Sequence, residues 1–238
     1  ELAMLEEALA PLRADGRLAV DVLTPPTLAA LQNRLRQGPV HLLHFIGHGD
    51  FVEERGEGSL AFEQEDGATR TVTERQLSNL LSDHRALRLV VLNACEGGRN
   101  DLEDAFGGVA QALMRRRVPA VLAMAHPISD DAALALSGQF YAALADRYPV
   151  EAALAEARKA AYNAGNVLEW ATPVLHLRSA DGRLFAPLAA AADAVAPAPE
   201  AGREATQNTG TVVLDIDNST IDSSSFNINV GGPRRDEE

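Results

Sequence analysis

The run Leu89-Val90-Val91-Leu92-Asn93-Ala94-Cys95-Glu96-Gly97-Gly98 constrains the chain more than any other stretch. Its apolar, partly β-branched start reads as a strand covered on both faces, the pattern of an interior strand in a parallel sheet. Cys95 stands where that strand ends, and Gly97-Gly98 break regular structure directly after it. A second stretch has the same form. Val40-His41-Leu42-Leu43-His44-Phe45-Ile46-Gly47-His48-Gly49-Asp50 runs apolar and ends in glycines, with His48 held between two of them. Open α/β sheets bind ligands at the carboxyl ends of their strands. A cysteine and a histidine at two such ends are the parts of a thiol nucleophile and its base.

Around these two strands the periodicity alternates. Leu2, Leu5, Leu9 and Leu12 recur at helical spacing, and Leu18-Ala19-Val20-Asp21-Val22-Leu23 reads as a strand. Thr27 can cap a helix through Leu28, Leu31 and Leu35. Ser59-Leu60-Ala61-Phe62 and Thr69-Arg70-Thr71-Val72 flank Asp66-Gly67, a hairpin signal. Thr73 with Gln76 forms a capping box for a helix through Leu77, Leu80 and Leu81. Beyond Cys95, residues 99–104 read as a polar loop and residues 106–117 as a helix whose last turn holds Arg115-Arg116-Arg117, favourable with the helix dipole. Strand 118–124, a long helix capped by Ser129, a helix over 151–163 and a strand over 172–177 follow. The fold class predicted is α/β, a mostly parallel sheet with helices on both faces.

From residue 186 the character changes. Residues 186–209 are rich in Ala and Pro and read as a linker. Residues 210–238 form a short β-prone, Asn/Ser-rich tail that alternates apolar with small polar residues before Gly231-Gly232 and a charged end. Residues 1–185 are therefore read as the main domain. The alternation suits strand addition to a partner or self-association through 210–232; the plainer reading is a mobile tail. The chain opens Glu1-Leu2-Ala3-Met4, acidic and helix-like, and reads as a fragment whose preceding strand is missing.

Charge and cysteine count exclude several classes. With 21 basic and 34 acidic residues the net charge is −13, which argues against a nucleic-acid binder. One cysteine rules out an internal disulfide framework and any multi-cysteine zinc site. No apolar run approaches the ~20 residues of a membrane span. These features fit a cytoplasmic protein with no membrane segment.

A lone cysteine in an α/β protein is by default a small buried hydrophobe. The glycine-flanked His48 changes the balance, since glycine at a strand end is costly unless the backbone turns sharply or something approaches closely. His48 would raise the thiolate fraction of Cys95 and later protonate the leaving amine. The amides of Gly49 and Cys95 could meet the oxyanion. His44, about 13 Å from His48 along a strand, reads as structural, and no metal site is expected from the histidines. Asp50, Asp101 and Asp104 cluster in the loops after the two strands. They would select Arg or Lys before the cut, or are solvated loop charges. No cofactor is expected. Gly-rich phosphate loops are absent, which ranks a nucleotide-binding protein last.

The segments His44-Phe45-Ile46-Gly47-His48-Gly49, Leu92-Asn93-Ala94-Cys95-Glu96-Gly97-Gly98, Val118-Pro119-Ala120-Val121-Leu122-Ala123-Met124, Pro127-Ile128-Ser129-Asp130-Asp131 and Trp170-Ala171-Thr172-Pro173-Val174-Leu175 occur in an order that resembles the CHAT domain, a branch of the caspase-like cysteine peptidases related to separase. The resemblance spans residues 18–185. It implies a caspase-like fold, His48 as general base, Cys95 as nucleophile, and Gly49 with Cys95 as oxyanion donors. It also implies a bacterial defence system in which an upstream sensor activates the peptidase and a partner protein, such as a gasdermin, is cleaved. The family's first strand is absent from the start of the chain, and Gly97-Gly98 stands where Ser-Gly is commoner. The rival reading is a catalytically silent scaffold of the same fold whose tail docks a partner.

Overall fold

The structure, a computed structural model, describes residues 2–52, 54, 56–94, 102–126, 128–165, 168–185 and 226–231. Helix α1 (Leu2–Ala14) buries Leu5, Leu9 and Leu12 at the spacing that predicted it. Strand β1 (Asp21–Leu23) is followed by α2 (Leu28–Arg36), which starts where the Thr27 hydroxyl accepts the Ala30 N–H at 3.0 Å. Strand β2 (Leu42–Gly47) is buried throughout, as its unbroken apolar run requires.

The chain then leaves the main sheet. Strands β3 (Gly49–Val52), β4 (Glu57–Glu63) and β5 (Thr69–Thr73) form a separate antiparallel ribbon. Gly67, at φ +81°, turns the chain between the last two, and the Asp66 carboxylate accepts the Ala68 N–H at 3.0 Å. Helix α3 (Glu74–Leu81) opens on a reciprocal capping box. Gln76 N–H donates to Thr73 Oγ1 at 3.3 Å, and Thr73 N–H to Gln76 Oε1 at 3.0 Å. Two orphan amides are satisfied where the ribbon becomes a helix.

Strand β6 (Leu89–Ala94), α4 (Leu102–Arg115), β7 (Ala120–Met124), α5 (Asp130–Ala145) and α6 (Val150–Asn163) follow. A 3-10 turn (Glu169–Ala171) leads into β8 (Pro173–Leu177), and β9 (Phe226–Gly231) comes last. Ser129 caps α5 and is itself held by Glu169, which accepts the Ser129 N–H at 2.6 Å and its hydroxyl at 2.8 Å.

The main sheet has the order β1-β9-β2-β6-β7-β8. All neighbours are parallel except β7 and β8. Side chains alternate across it with the period of two that a pleated strand imposes. Leu42, Ile46, Leu89, Val91, Leu122 and Met124 join one core with α1, α5 and α6. Leu43, Phe45, Val90, Leu92, Val121 and Ala123 join the other with α2, α3, α4 and the ribbon's Leu60, Phe62 and Val72. The α/β class with helices on both faces is therefore the fold. Among the described residues, no helix is long and apolar enough to cross a membrane.

Two elements differ from the sequence expectation. Helix α4 begins at Leu102, so Leu102, Glu103 and Asp104, read as loop, are its first turn. Acidic residues there complement the amino-terminal end of the dipole. The second difference is larger. Residues 210–238 read as a segment beyond the main domain, yet Phe226–Gly231 lies inside the main sheet, parallel to both β1 and β2. The linker 186–209 and residues 210–225 lie outside the described residues.

Candidate active site

Strands β2 and β6 are neighbours in register from Leu42↔Leu89 to Gly47↔Ala94. The residue after Gly47 is His48, and the residue after Ala94 is Cys95. Two adjacent strands thus run out at the same level, at the carboxyl end of the sheet, with ladders ~4.8 Å apart. Cys95 and Asp101 lie outside the described residues.

His48 is exposed and forms the step from β2 to β3. Its carbonyl accepts the Ala61 N–H at 2.9 Å, tying the step to β4. That bond makes Gly49↔Leu60 a pair that exchanges no backbone hydrogen bonds of its own. The Gly49 N–H therefore points away from β4. Glycine is required at 49 by close approach: a Cβ there would sit 2.4 Å from the ring of Phe106, which is fully buried in α4. Phe106 packs the step after His48 against α4.

A cavity of about 480 Å³ opens beside this junction, lined by Phe51, Glu74, Phe106, Gln111, Arg115 and Met124, with Val174 and His176 of β8. Glu74, at the start of α3, keeps only 14% of its side chain exposed. It accepts the Gly58 N–H at 3.2 Å and the Arg115 guanidinium at 3.3 Å. Asp50 is exposed, accepts the Phe51 N–H at 3.0 Å, and is not among the residues lining the cavity. Asp104 belongs to α4, and its side chain lies outside the described residues. Glu74 was not legible as a cavity residue. An acid directly after a Thr N-cap already has a local reason to be there, and no other signal in the sequence sets it apart.

Residues 5–179 match the CHAT domain. The chain belongs to the CHAT domain family. The match takes in His48 and Cys95 and all strands through β8; β9 lies beyond it. CHAT domains are caspase-like, protease-type domains. No curated protein matches this CHAT protein.

His44, four residues before His48, is structural. It is 1% exposed in the middle of β2, and its Nδ1 lies 2.8 Å from the Tyr141 hydroxyl of α5. Burial pushes its pKa down to about 3 and raises that of Tyr141 well above the usual range. His44 is therefore neutral, bound across the sheet–helix interface rather than facing the site. The basic run of α4 ends as a helix C-terminus, with Arg115 on Glu74 and Arg116 donating to Asn79 Oδ1 at 2.6 Å. Among the described residues, no group of three or more His, Cys, Asp or Glu side chains could hold a metal ion.

Proposed function

We propose that this CHAT domain is a cysteine endopeptidase with His48 as general base and Cys95 as nucleophile. The observation that supports this reading is the β2–β6 register, which ends the two described strands, at Gly47 and Ala94, at one level. The Cys95 thiol gives its proton to the His48 imidazole. The thiolate attacks the peptide carbonyl, and the oxyanion accepts hydrogen bonds from the Gly49 and Cys95 amides. The amide N–H of Gly49, turned away from β4, supports that role. His48 then protonates the leaving amine and the C–N bond breaks, leaving a thioester. Water attacks the thioester, His48 takes its proton, and the free thiol returns with the carboxylic acid.

The cavity supports a basic residue before the scissile bond. Glu74, a carboxylate lining it, already holds a guanidinium, that of Arg115, whose side chain is 64% exposed. A substrate Arg or Lys takes that place, with Asp50, Asp101 and Asp104 contributing long-range attraction. Family membership supports a protein substrate, such as a gasdermin, in the cytoplasm of a bacterial defence system under an upstream sensor.

The test is digestion of a pooled peptide library by the purified chain beside its Cys95→Ala variant, with cuts read by mass spectrometry. Cuts by the parent alone, after Arg or Lys, are expected. Equal cutting by both chains overturns Cys95 as the nucleophile; no cutting by either leaves two states, a peptidase awaiting its activator or a scaffold. An unchanged preference in Glu74→Gln overturns the role given to the cavity.

A further inference from the structure

The cavity beside the β2–β3 junction pairs an acid that is fixed with a base that is not. Glu74 stands directly after the Thr73 N-cap, in the first turn of α3. Its Oε2 accepts the Gly58 N–H at 3.2 Å. The same oxygen packs against Gly108 of α4, where a Cβ would come within 2.7 Å of it. Three elements thus hold this nearly buried carboxylate: its own helix, β4 and α4. The second oxygen, Oε1, accepts from Nη2 of Arg115 at 3.3 Å. Arg115 is the last residue of α4, and its side chain is mostly exposed. The helix end is anchored beside it, where Arg116 donates to Asn79. An ion pair so exposed contributes little to stability, and rotation of the Arg115 side chain alone makes or breaks it.

The rest of the lining suits the stem of a second basic side chain. Phe51, Phe106, Met124 and Val174 give the cavity apolar walls, against which the methylenes of a long charged side chain pack. His176 also lines it, and burial lowers its pKa from the ordinary 6.5, so it adds no positive charge there at neutral pH. Of the residues lining the cavity, Arg115 is therefore the one that carries positive charge.

We propose that Arg115 is a tethered occupant of the Glu74 subsite, which competes with the basic side chain of a substrate and so limits the affinity of that subsite. The ligand class is a guanidinium on a flexible apolar stem, the side chain of a peptidyl arginine. This builds on the reading of the cavity as the place of the residue before the cut; the competition by Arg115 is what it adds. When the guest guanidinium takes Oε1, the Arg115 side chain swings into water and Oε2 stays on the Gly58 N–H. A neutral side chain offers Glu74 nothing in exchange and leaves the internal pair intact. Arg115 in this way sets a threshold that a guest must exceed, which is discrimination by an unfavourable exchange.

The experiment is a binding titration by ligand-observed NMR on the full chain, on Arg115→Met and on the double variant Arg115→Met/Glu74→Gln. The probe is N-acetyl-arginine amide, with its citrulline counterpart, of the same shape and no charge, as control. Binding needs no turnover, so a chain that is catalytically silent at rest answers the question equally well. Arg115→Met is expected to bind the arginine probe about threefold to tenfold more tightly than the parent, because both the pair to be displaced and the repulsion from a nearby cation are gone. The double variant is expected to lose that gain, and the citrulline probe to show no difference among the three chains. Binding detected in Arg115→Met alone upholds the proposal. Equal affinity of the parent and Arg115→Met, with the double variant weaker, overturns the role of Arg115 and leaves the reading of the cavity standing. Weaker binding by Arg115→Met overturns the competition and makes Arg115 a ligand contact. A gain that survives in the double variant, or no binding by any of the three chains, overturns both.

Discussion

His44 makes acid stability a direct test of the core. The ring is 1% exposed and its pKa is pushed down to about 3 by burial, from an ordinary 6.5. Below pH 6.5 the unfolded chain takes up a proton at this position; the native chain does not until about pH 3. Protons thus favour unfolding throughout that window, so His44 costs nothing above pH 6.5 and progressively destabilises the fold as the pH falls toward 3. The loss amounts to about 2 kcal/mol at pH 5 relative to pH 8, and about 1.4 kcal/mol for each further unit. Urea midpoints of the parent and of His44→Gln, taken between pH 8 and 5, measure it. His176, whose pKa burial also lowers, and every carboxylate are common to both chains and cancel in the difference. The parent should lose about 2 kcal/mol more than the variant over that range. Parallel pH profiles would refute the buried, neutral assignment of His44.

Three further outcomes follow from named contacts. Tyr141→Phe removes the 2.8 Å partner of His44 Nδ1 and should lower stability at pH 8 by about 1–2 kcal/mol in the same urea assay. Asp21→Ala leaves the Arg34 guanidinium, itself 7% exposed, without its buried carboxylate and should cost about 3–5 kcal/mol, read from thermal unfolding. Gly49→Ala drives a methyl group against the Phe106 ring and should cost about 1–3 kcal/mol; Phe106→Leu in the same chain should recover part of it.

What was legible in the sequence was local. The Thr27 and Ser129 caps, the Thr73–Gln76 box and the Asp66-Gly67 turn are each written within a few residues, and each forms as written. The apolar runs ending at Gly47 and Ala94 announced two interior strands, and their adjacency follows once both belong to one parallel sheet. What escaped depends on distant partners. Gly49 is glycine because of Phe106, which no local pattern links to it. Glu74 meets Gly58 and Arg115 from two other elements. The strand character of 226–231 was readable from its alternation; its place between β1 and β2 was not, because period two fixes a face and not a neighbour.

The β2–β6 ladder also joins the two strands to each other independently of the covalent path between them. The described residues of 48–88 fold as a ribbon and a helix to one side, while six register pairs set how far apart the strand ends stand. A break in the turn at residues 64–68 would divide the chain between His48 and Cys95 yet leave each piece hydrogen-bonded to the other along a buried seam. The molecule is in this sense two interlocking fragments that happen to be joined, and a nicked chain should keep the edge where those strands end.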